Sequence, residues 1–232
     1  MRKSIRVLWA GIAIAQLAAL GARAASTYQL DNNTYKSSLN ASEGTEAEDN
    51  WFANQFTAVA GGNMITQVVY GVYTTAPGSV GDVVIYRQGA LGYTRVYTQQ
   101  FTPLTGNNGT NYFLQSINLT TPVSLSVGDN FLVAIFEPNV IGLSPNDKYP
   151  YLLDTGTNPP GSFWDRATPG TFNLDNISGA VGINQALTPG GWEPGTGHLF
   201  IRANGTVVPE PSVFALGGLA VFVMAMFRRR AK

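Results

Sequence analysis

What most limits the fold of this chain is that its β-branched and aromatic residues come in short runs, each cut off by turn-forming residues. Residues 65–74 (ITQVVYGVYT) set Val68, Tyr70 and Val72 on one face of an extended strand. Residues 83–86, 93–98, 112–119 and 131–136 have the same character, residues 51–58 alternate more loosely, and 199–201 close the series. Between them stand Gly61-Gly62-Asn63, Pro77-Gly78, Gly106-Asn107-Asn108-Gly109 and Gly128-Asp129-Asn130, which supply either a positive φ or a fixed one. No stretch between the two ends of the chain sustains a 3.6-residue apolar period. An all-β fold follows. Many short strands with frequent turns bury their apolar faces best as two packed antiparallel sheets. The expectation is an antiparallel β-sandwich, jelly-roll-like in form.

The two ends read differently. Arg2, Lys3 and Arg6 are followed by the apolar stretch 7–20 and by Ala22-Arg23-Ala24, with small residues where a signal peptidase reads. That layout predicts a signal peptide, a short apolar helix, over 1–24. Near the other end, Pro209-Glu210-Pro211 precedes the apolar stretch 213–227 and the cluster Arg228-Arg229-Arg230. A helix of that length spans roughly 22 Å at 1.5 Å per residue, against a hydrocarbon core of about 30 Å. Snorkelling arginines and local thinning close such a gap. The expectation is a transmembrane helix with its arginines on the cytoplasmic side and everything before Pro209 outside.

Pro-Glu-Pro, a short apolar helix and a terminal arginine cluster together resemble the PEP-CTERM sorting signal of Gram-negative bacteria. The likeness covers residues 208–232 and gains weight from the signal peptide at the opposite end. It implies that Pro209, Glu210 and Pro211 are a recognition motif for exosortase, a membrane-embedded Cys transpeptidase. It implies equally that 213–227 is the membrane segment and that Arg228, Arg229 and Arg230 are the stop signal. Such systems belong to bacteria that make exopolysaccharide, biofilm or floc. Residues 51–203 are diffusely similar to secreted bacterial sandwich domains, through the opening Trp51-Phe52-Ala53-Asn54-Gln55-Phe56-Thr57, the segment 122–135 and the closing 197–203. That second likeness bears on the fold and says little about function.

The formal charge of zero over 232 residues, from 14 Lys+Arg against 14 Asp+Glu, hides an uneven distribution. Arg2, Lys3, Arg6, Arg23, Arg228, Arg229, Arg230 and Lys232 lie in the two ends, leaving 14 − 8 = 6 basic residues between Ser26 and Pro211. All 14 acidic residues lie there, so the exported body carries 6 − 14 = −8. Nucleic acid and anionic lipid are poor partners for such a surface. With no Cys and one His, the chain excludes a disulfide scaffold, a thiolate zinc site, an iron–sulfur cluster, a Cys nucleophile and a multi-His metal cage.

Catalytic chemistry is sparse in the sequence. His198 is the one histidine, without a G-x-S-x-G elbow to serve, and reads as structural or simply exposed. Asp147, Asp154, Asp165 and Asp175 are the carboxylates from which a glycosidase pair would have to come, and turn or surface roles account for all four. Asn173 and Asp175, and the pair Asp129-Asn130, are candidate ligands for a structural Ca²⁺, without EF-hand spacing. Trp164 and Trp192 stand in Gly/Pro-rich surroundings and are candidates either for glycan stacking or for plugging the core, whereas Trp51 reads as core. The acidic run 43–49 reads as a solvated loop. Residues 139–196 read as a long excursion with short strands near 151–153 and 162–164. The six N-x-[ST] sequons, at Asn32, Asn40, Asn108, Asn118, Asn176 and Asn204, carry no weight in a bacterial chain this rich in Asn and Thr.

The expected organisation is a signal peptide over 1–24, a β-sandwich body over 25–206 and a sorting tail over 207–232. The expected function is that of a non-enzymatic exported protein of the cell surface or extracellular matrix, associated with exopolysaccharide or biofilm and needing no cofactor beyond a structural Ca²⁺. Its expected partners are signal peptidase and an exosortase-type transpeptidase, its precursor being held in the inner membrane. A carbohydrate-binding module is the alternative, and a carboxylate-dependent glycan-active enzyme is a third reading.

Overall fold

The computed structural model describes residues 26–39, 47–72, 80–104, 113–141, 151–154, 161–183 and 197–207. The helices expected at both ends and the connection that carries Trp192 lie outside these residues. Among the described residues there is no helix, and every strand pairing is antiparallel.

Twelve strands are described: β1 (Ser26–Tyr28), β2 (Tyr35–Leu39), β3 (Ala47–Thr57), β4 (Met64–Val72), β5 (Gly81–Gly89), β6 (Gly92–Phe101), β7 (Phe113–Ser124), β8 (Asn130–Ile141), β9 (Tyr151–Asp154), β10 (Ser162–Ala167), β11 (Val181–Gly182) and β12 (Ile201–Thr206). One sheet has the order β1-β12-β4-β7 and the other β11-β10-β3-β8-β5-β6, with β2 and β9 forming a separate pair. Among the described residues the expected runs fall on strands, because β-branched and aromatic residues suit a pleated, half-buried surface, except that Ala58 lies just past β3 and, of 199–201, only Ile201 belongs to β12. Pro122 lies within β7, a strand at the margin of its sheet, where a missing N–H breaks no ladder.

The acidic run departs from expectation. β3 already begins at Ala47, Asp49 is 1 % exposed and Asn50 is fully buried. Its period of two explains this. Asn50, Phe52, Asn54 and Phe56 share one face, Trp51 and Ala53 the other, and both faces are covered.

Two apolar clusters result. The first lies between the sheets, where Ile65, Val68, Tyr70, Ile117, Ile201 and Ala203 of the four-stranded sheet meet Phe52, Phe56, Val83, Ile85, Val133 and Ile135 of the other. The second lies on the far side of the six-stranded sheet, where Trp51, Val84, Tyr86, Leu132 and Phe136 are covered by Phe172, Leu174, Ile177 and Ala180. Trp51 is therefore buried as expected, but in this outer cluster. Phe172 stacks on it at 6.5 Å between ring centroids, and Tyr86 meets its edge at 6.0 Å. Burying a large apolar side chain in this way contributes about 1.5–3 kcal/mol.

The interior between the sheets is apolar except at a few points, and one of these joins the sheets directly. The Asn54 amide of β3 donates to the carbonyls of Leu199 and Ile201, each at 2.8 Å. Its oxygen accepts from the Ser162 hydroxyl of β10 at 2.5 Å, and that hydroxyl accepts from the Leu199 N–H at 3.2 Å. Every donor and acceptor of the Asn54 amide group is thus used, in a site with no access to water. Along one margin of the sandwich, side chains of β6 reach across to β7. The Gln99 oxygen accepts from the Thr120 N–H at 2.8 Å, and the Gln99 amide donates to the Asn118 carbonyl at 3.1 Å. These contacts cover strand edges that would otherwise be open to pairing. Gly205 marks the tightest backbone contact, since a Cβ there would stand 1.8 Å from the Gly62 carbonyl oxygen.

Replacing Asn54 with Ala strands two buried carbonyls and a hydroxyl. The expected cost is roughly 3 kcal/mol of unfolding free energy in urea titration. Asn54→Asp is expected to be worse, because it sets a carboxylate against two carbonyl oxygens. A variant with wild-type stability would show that the contact between the sheets is dispensable.

Candidate functional site

Pro209, Glu210, Pro211, Arg228, Arg229, Arg230 and Trp192 lie outside the described residues, as does Asp147; of Asp154 the structure describes the backbone alone. The remaining candidates are placed as follows.

Trp164 sits on β10 and points between the sheets, 5 % exposed. Its ring stacks on Phe52 at 6.5 Å and 22°, and the Arg166 guanidinium lies 5.8 Å from its centroid. A sugar needs an open ring face, so the core reading of Trp164 is the correct one and the glycan reading of this residue fails. His198 is 5 % exposed and immediately precedes Leu199, whose N–H and carbonyl enter the Asn54 network.

Asn173 and Asp175 belong to a turn-rich cover over the outer face of the six-stranded sheet. The Asn173 side-chain oxygen accepts from the Asp175 N–H at 2.9 Å. Both Asp175 carboxylate oxygens are taken by Arg95 of β6, at 2.8 and 2.9 Å. In this structure a guanidinium fork engages both oxygens of the carboxylate named as a Ca²⁺ candidate. Among the described residues no group of three or more His, Asp or Glu side chains could hold a metal. At Asp129-Asn130, the Asp129 carboxylate accepts from the Ser126 N–H at 2.8 Å and pairs with Arg87 at 3.5 Å.

Residues 168–180 were expected to form part of a loose surface excursion. The structure uses them as a lid on the second apolar cluster. Asp49, on β3, accepts from the Gly170 N–H at 2.7 Å and from the Phe172 N–H at 3.3 Å, which anchors the lid where Phe172 covers Trp51. The same lid passes close over Asp165, and a Cβ at Gly179 would stand 2.9 Å from an Asp165 carboxylate oxygen. Burial raises the Asp165 carboxyl above its ordinary range, while the Arg166 N–H, bonded at 2.8 Å, holds it back in part. Burial likewise raises Asp82, with Arg95 opposing.

The polar set that composition did not single out lies at the end of the sandwich where β3 starts and β8 finishes. Glu48, Asn50, Arg166, Tyr70 and Glu137 converge there on the inner faces of both sheets. Asn50 is register partner to both Glu137 and Arg166. Arg166 pairs with Glu48 at 3.4 Å, and the Asn50 amide donates to the Glu48 carbonyl at 3.2 Å. Tyr70 is fully buried with its edge on Phe101, and burial plus the nearby Glu137 charge drives its phenol far above its ordinary pKa. Such a group does not ionise at any working pH. Within this set the Glu48 carboxylate is engaged by Arg166. The uncharged stretch 50–56, which sets aromatic residues on both faces of the strand (Trp51 on one, Phe52 and Phe56 on the other), was the sequence signal that both faces are buried.

A separate shallow cleft of about 390 Å³ runs between β1 and β3, lined by Thr27, Gln29, Leu30, Gln55, Phe56 and Gly161 among others. Its polar groups are engaged elsewhere: Thr27 bonds Asn204 and Gln29 bonds Asp31.

Asp165 gives a test of the lid. Its folded-state pKa is raised, so the ionised carboxylate destabilises the fold at neutral pH. That penalty shrinks as pH falls through the raised value and is gone below the ordinary 3.8. Asp165→Asn keeps the acceptor for the Arg166 N–H and removes the charge. It is expected to melt higher than wild type at pH 7, with the difference closing below pH 4 or so. A difference independent of pH would contradict burial of that carboxylate.

No protein-family model, no curated protein and no solved structure matches this chain.

Proposed function

We propose that this chain is a non-enzymatic exported protein, delivered by its signal peptide and processed at its tail by an exosortase-type transpeptidase. Its precursor is held in the inner membrane by 213–227, and the mature body resides at the cell surface or in an exopolysaccharide matrix. The observation that carries this reading is the order Pro209-Glu210-Pro211, apolar 213–227 and Arg228-Arg229-Arg230. The motif begins three positions past Thr206, the last residue of β12. The helices proposed for 1–24 and 213–227 would flank the body.

The strand order supports a jelly-roll-like body. With β2, β9, β10 and β11 set aside, the eight remaining strands are ordered first-eighth-third-sixth in one sheet and second-seventh-fourth-fifth in the other. That is the pattern of two interleaved Greek keys. A body of this kind, with a charge of −8 between Ser26 and Pro211, suits a carried extracellular module better than a nucleic-acid binder.

Replacing Pro209, Glu210 and Pro211 with alanines is expected to leave an unprocessed, membrane-bound precursor in cell fractionation, read by mass spectrometry of the C-terminus. Release at the wild-type level would remove the sorting proposal. For a contact with polysaccharide, Trp192 is the candidate left after Trp164. Trp192→Ala is expected to reduce retention on the producer's own polymer without lowering the melting temperature, and unchanged retention would leave that contact without a residue.

A further inference from the structure

The two ends of the described body leave the sandwich on the same side. Ser26 pairs with Gly205 at the start of β1, and Met64 pairs with both Thr206 and Ser124. The turns 58–63 and 125–129 join the two sheets at that end. They are bonded to one another from Ala58 N–H to Asp129 carbonyl and from Gly128 N–H to Ala58 carbonyl, both at 2.8 Å. The β5–β6 hairpin closes beside them, with Asn130 donating to Gln88 at 2.9 Å and Arg87 pairing with Asp129. Three turn tips therefore form one surface.

Their sequences are unusual for turns. They read Ala-Val-Ala-Gly-Gly-Asn over 58–63, Gly-Ala-Leu-Gly over 89–92 and Leu-Ser-Val-Gly-Asp-Asn over 125–130. Turns normally carry polar residues. Here Val59 is 45 % exposed, Val127 61 % and Leu91 fully exposed, and the one charge in the three turns, Asp129, is paired with Arg87. Val80, Leu104 and Leu114, also exposed, are elsewhere and adjoin residues outside the described set.

The chain beyond Thr206 says what covers this surface. Six residues, 207–212, separate Thr206 from Val213, the first residue of the apolar segment. Fully extended, the seven steps from Thr206 to Val213 reach at most about 24 Å. If 213–227 is embedded in a bilayer, this end of the body is held within that distance of the lipid surface. At so short a tether a few weak apolar contacts suffice, because the local concentration of the surface is high. The charge of −8 between Ser26 and Pro211 argues against anionic lipid, whereas these nearly uncharged tips suit a zwitterionic one.

We infer that Val59, Leu91 and Val127 dock this end of the body on a zwitterionic phospholipid surface while the tail anchors the chain. The inference rests on the membrane reading of 213–227. It orients the opposite end, with the Glu48–Arg166 pair and Glu137, away from the membrane.

The chain contains no cysteine, so Val59→Cys, Leu91→Cys and Val127→Cys each introduce a single labelling site. The tail-bearing chain, with its signal peptide removed, is labelled with an environment-sensitive nitrobenzoxadiazole and reconstituted into phosphatidylcholine vesicles. Docking predicts a blue-shifted emission at all three tips and a loss of intensity when doxyl-labelled phosphatidylcholine is included. Val96→Cys, exposed in the middle of β6, should report water and no quenching. Vesicle flotation reads the anchor independently. Flotation with no quenching at the three tips, or with equal quenching at Val96→Cys, overturns the docking and leaves the tail reading standing. Failure to float overturns both.

Discussion

Asn54 is the contact on which the arrangement of the two sheets depends. Apolar side chains hold sheets together without dictating how they align, because dispersion and burial are not directional. A buried amide is directional and intolerant of misplacement. Asn54 binds the carbonyls of Leu199 and Ile201 at the point where the chain enters β12, and Ser162 locks the amide from the other side. β12 in turn lies inside the four-stranded sheet, between β1 and β4. Fixing its entry fixes the end at which it finishes, and so where Thr206 hands over to the residues that follow.

The two outer faces of the sandwich have opposite characters. On the six-stranded sheet the outer face carries its own apolar cluster, covered by 168–180, which Asp49 and the Arg95–Asp175 pair hold in place. The Arg95–Asp175 pair is exposed and contributes little by itself; burial of Trp51 beneath Phe172 is the larger effect. On the four-stranded sheet the outer face carries polar side chains that the described residues leave open to solvent or only partly buried. There Thr27, Asn204, Gln67 and Asn118 form a continuous side-chain ladder across all four strands, with bonds of 2.9, 2.7 and 2.7 Å. Cross-strand pairs of this kind stabilise a sheet without a second layer. Beside them Arg202 holds the buried Asp31 carboxylate and the Asn33 side chain, which ties the segment after β1 to β12.

These features account for four of the buried polar residues, Asp31, Asp49, Asn54 and Ser162, as parts of the architecture. Asp49 secures the lid, Asn54 and Ser162 join the sheets, and Asp31 fastens the segment after β1. In the proposed function, the specific chemistry is concentrated in the short segments at either end, and the body supplies a stable, acidic and largely apolar-cored module. The closeness of Ser26 to Gly205 brings both of those segments to one pole of the body.

The strands were legible because their determinants are local. Alternation in 65–74 and 131–136, and turn residues such as Gly128 with its φ of 93°, announce extended segments wherever they occur. Gly179 and Gly205 gave no such signal, since the close approaches that require them come from residues distant in sequence. The same holds for the sites. Trp164 and Asp175 looked available from composition, yet a facing Phe52 and an Arg95 eighty residues away occupy them. What the sequence determined by itself is the all-β class, the acidic charge of the body and the apolar, arginine-flanked segment near residue 220, because each depends on residue type and spacing alone. Which faces are buried, where 168–180 lies and how Asn54 joins the sheets were decided only in three dimensions, where groups far apart in the chain must satisfy one another out of reach of water.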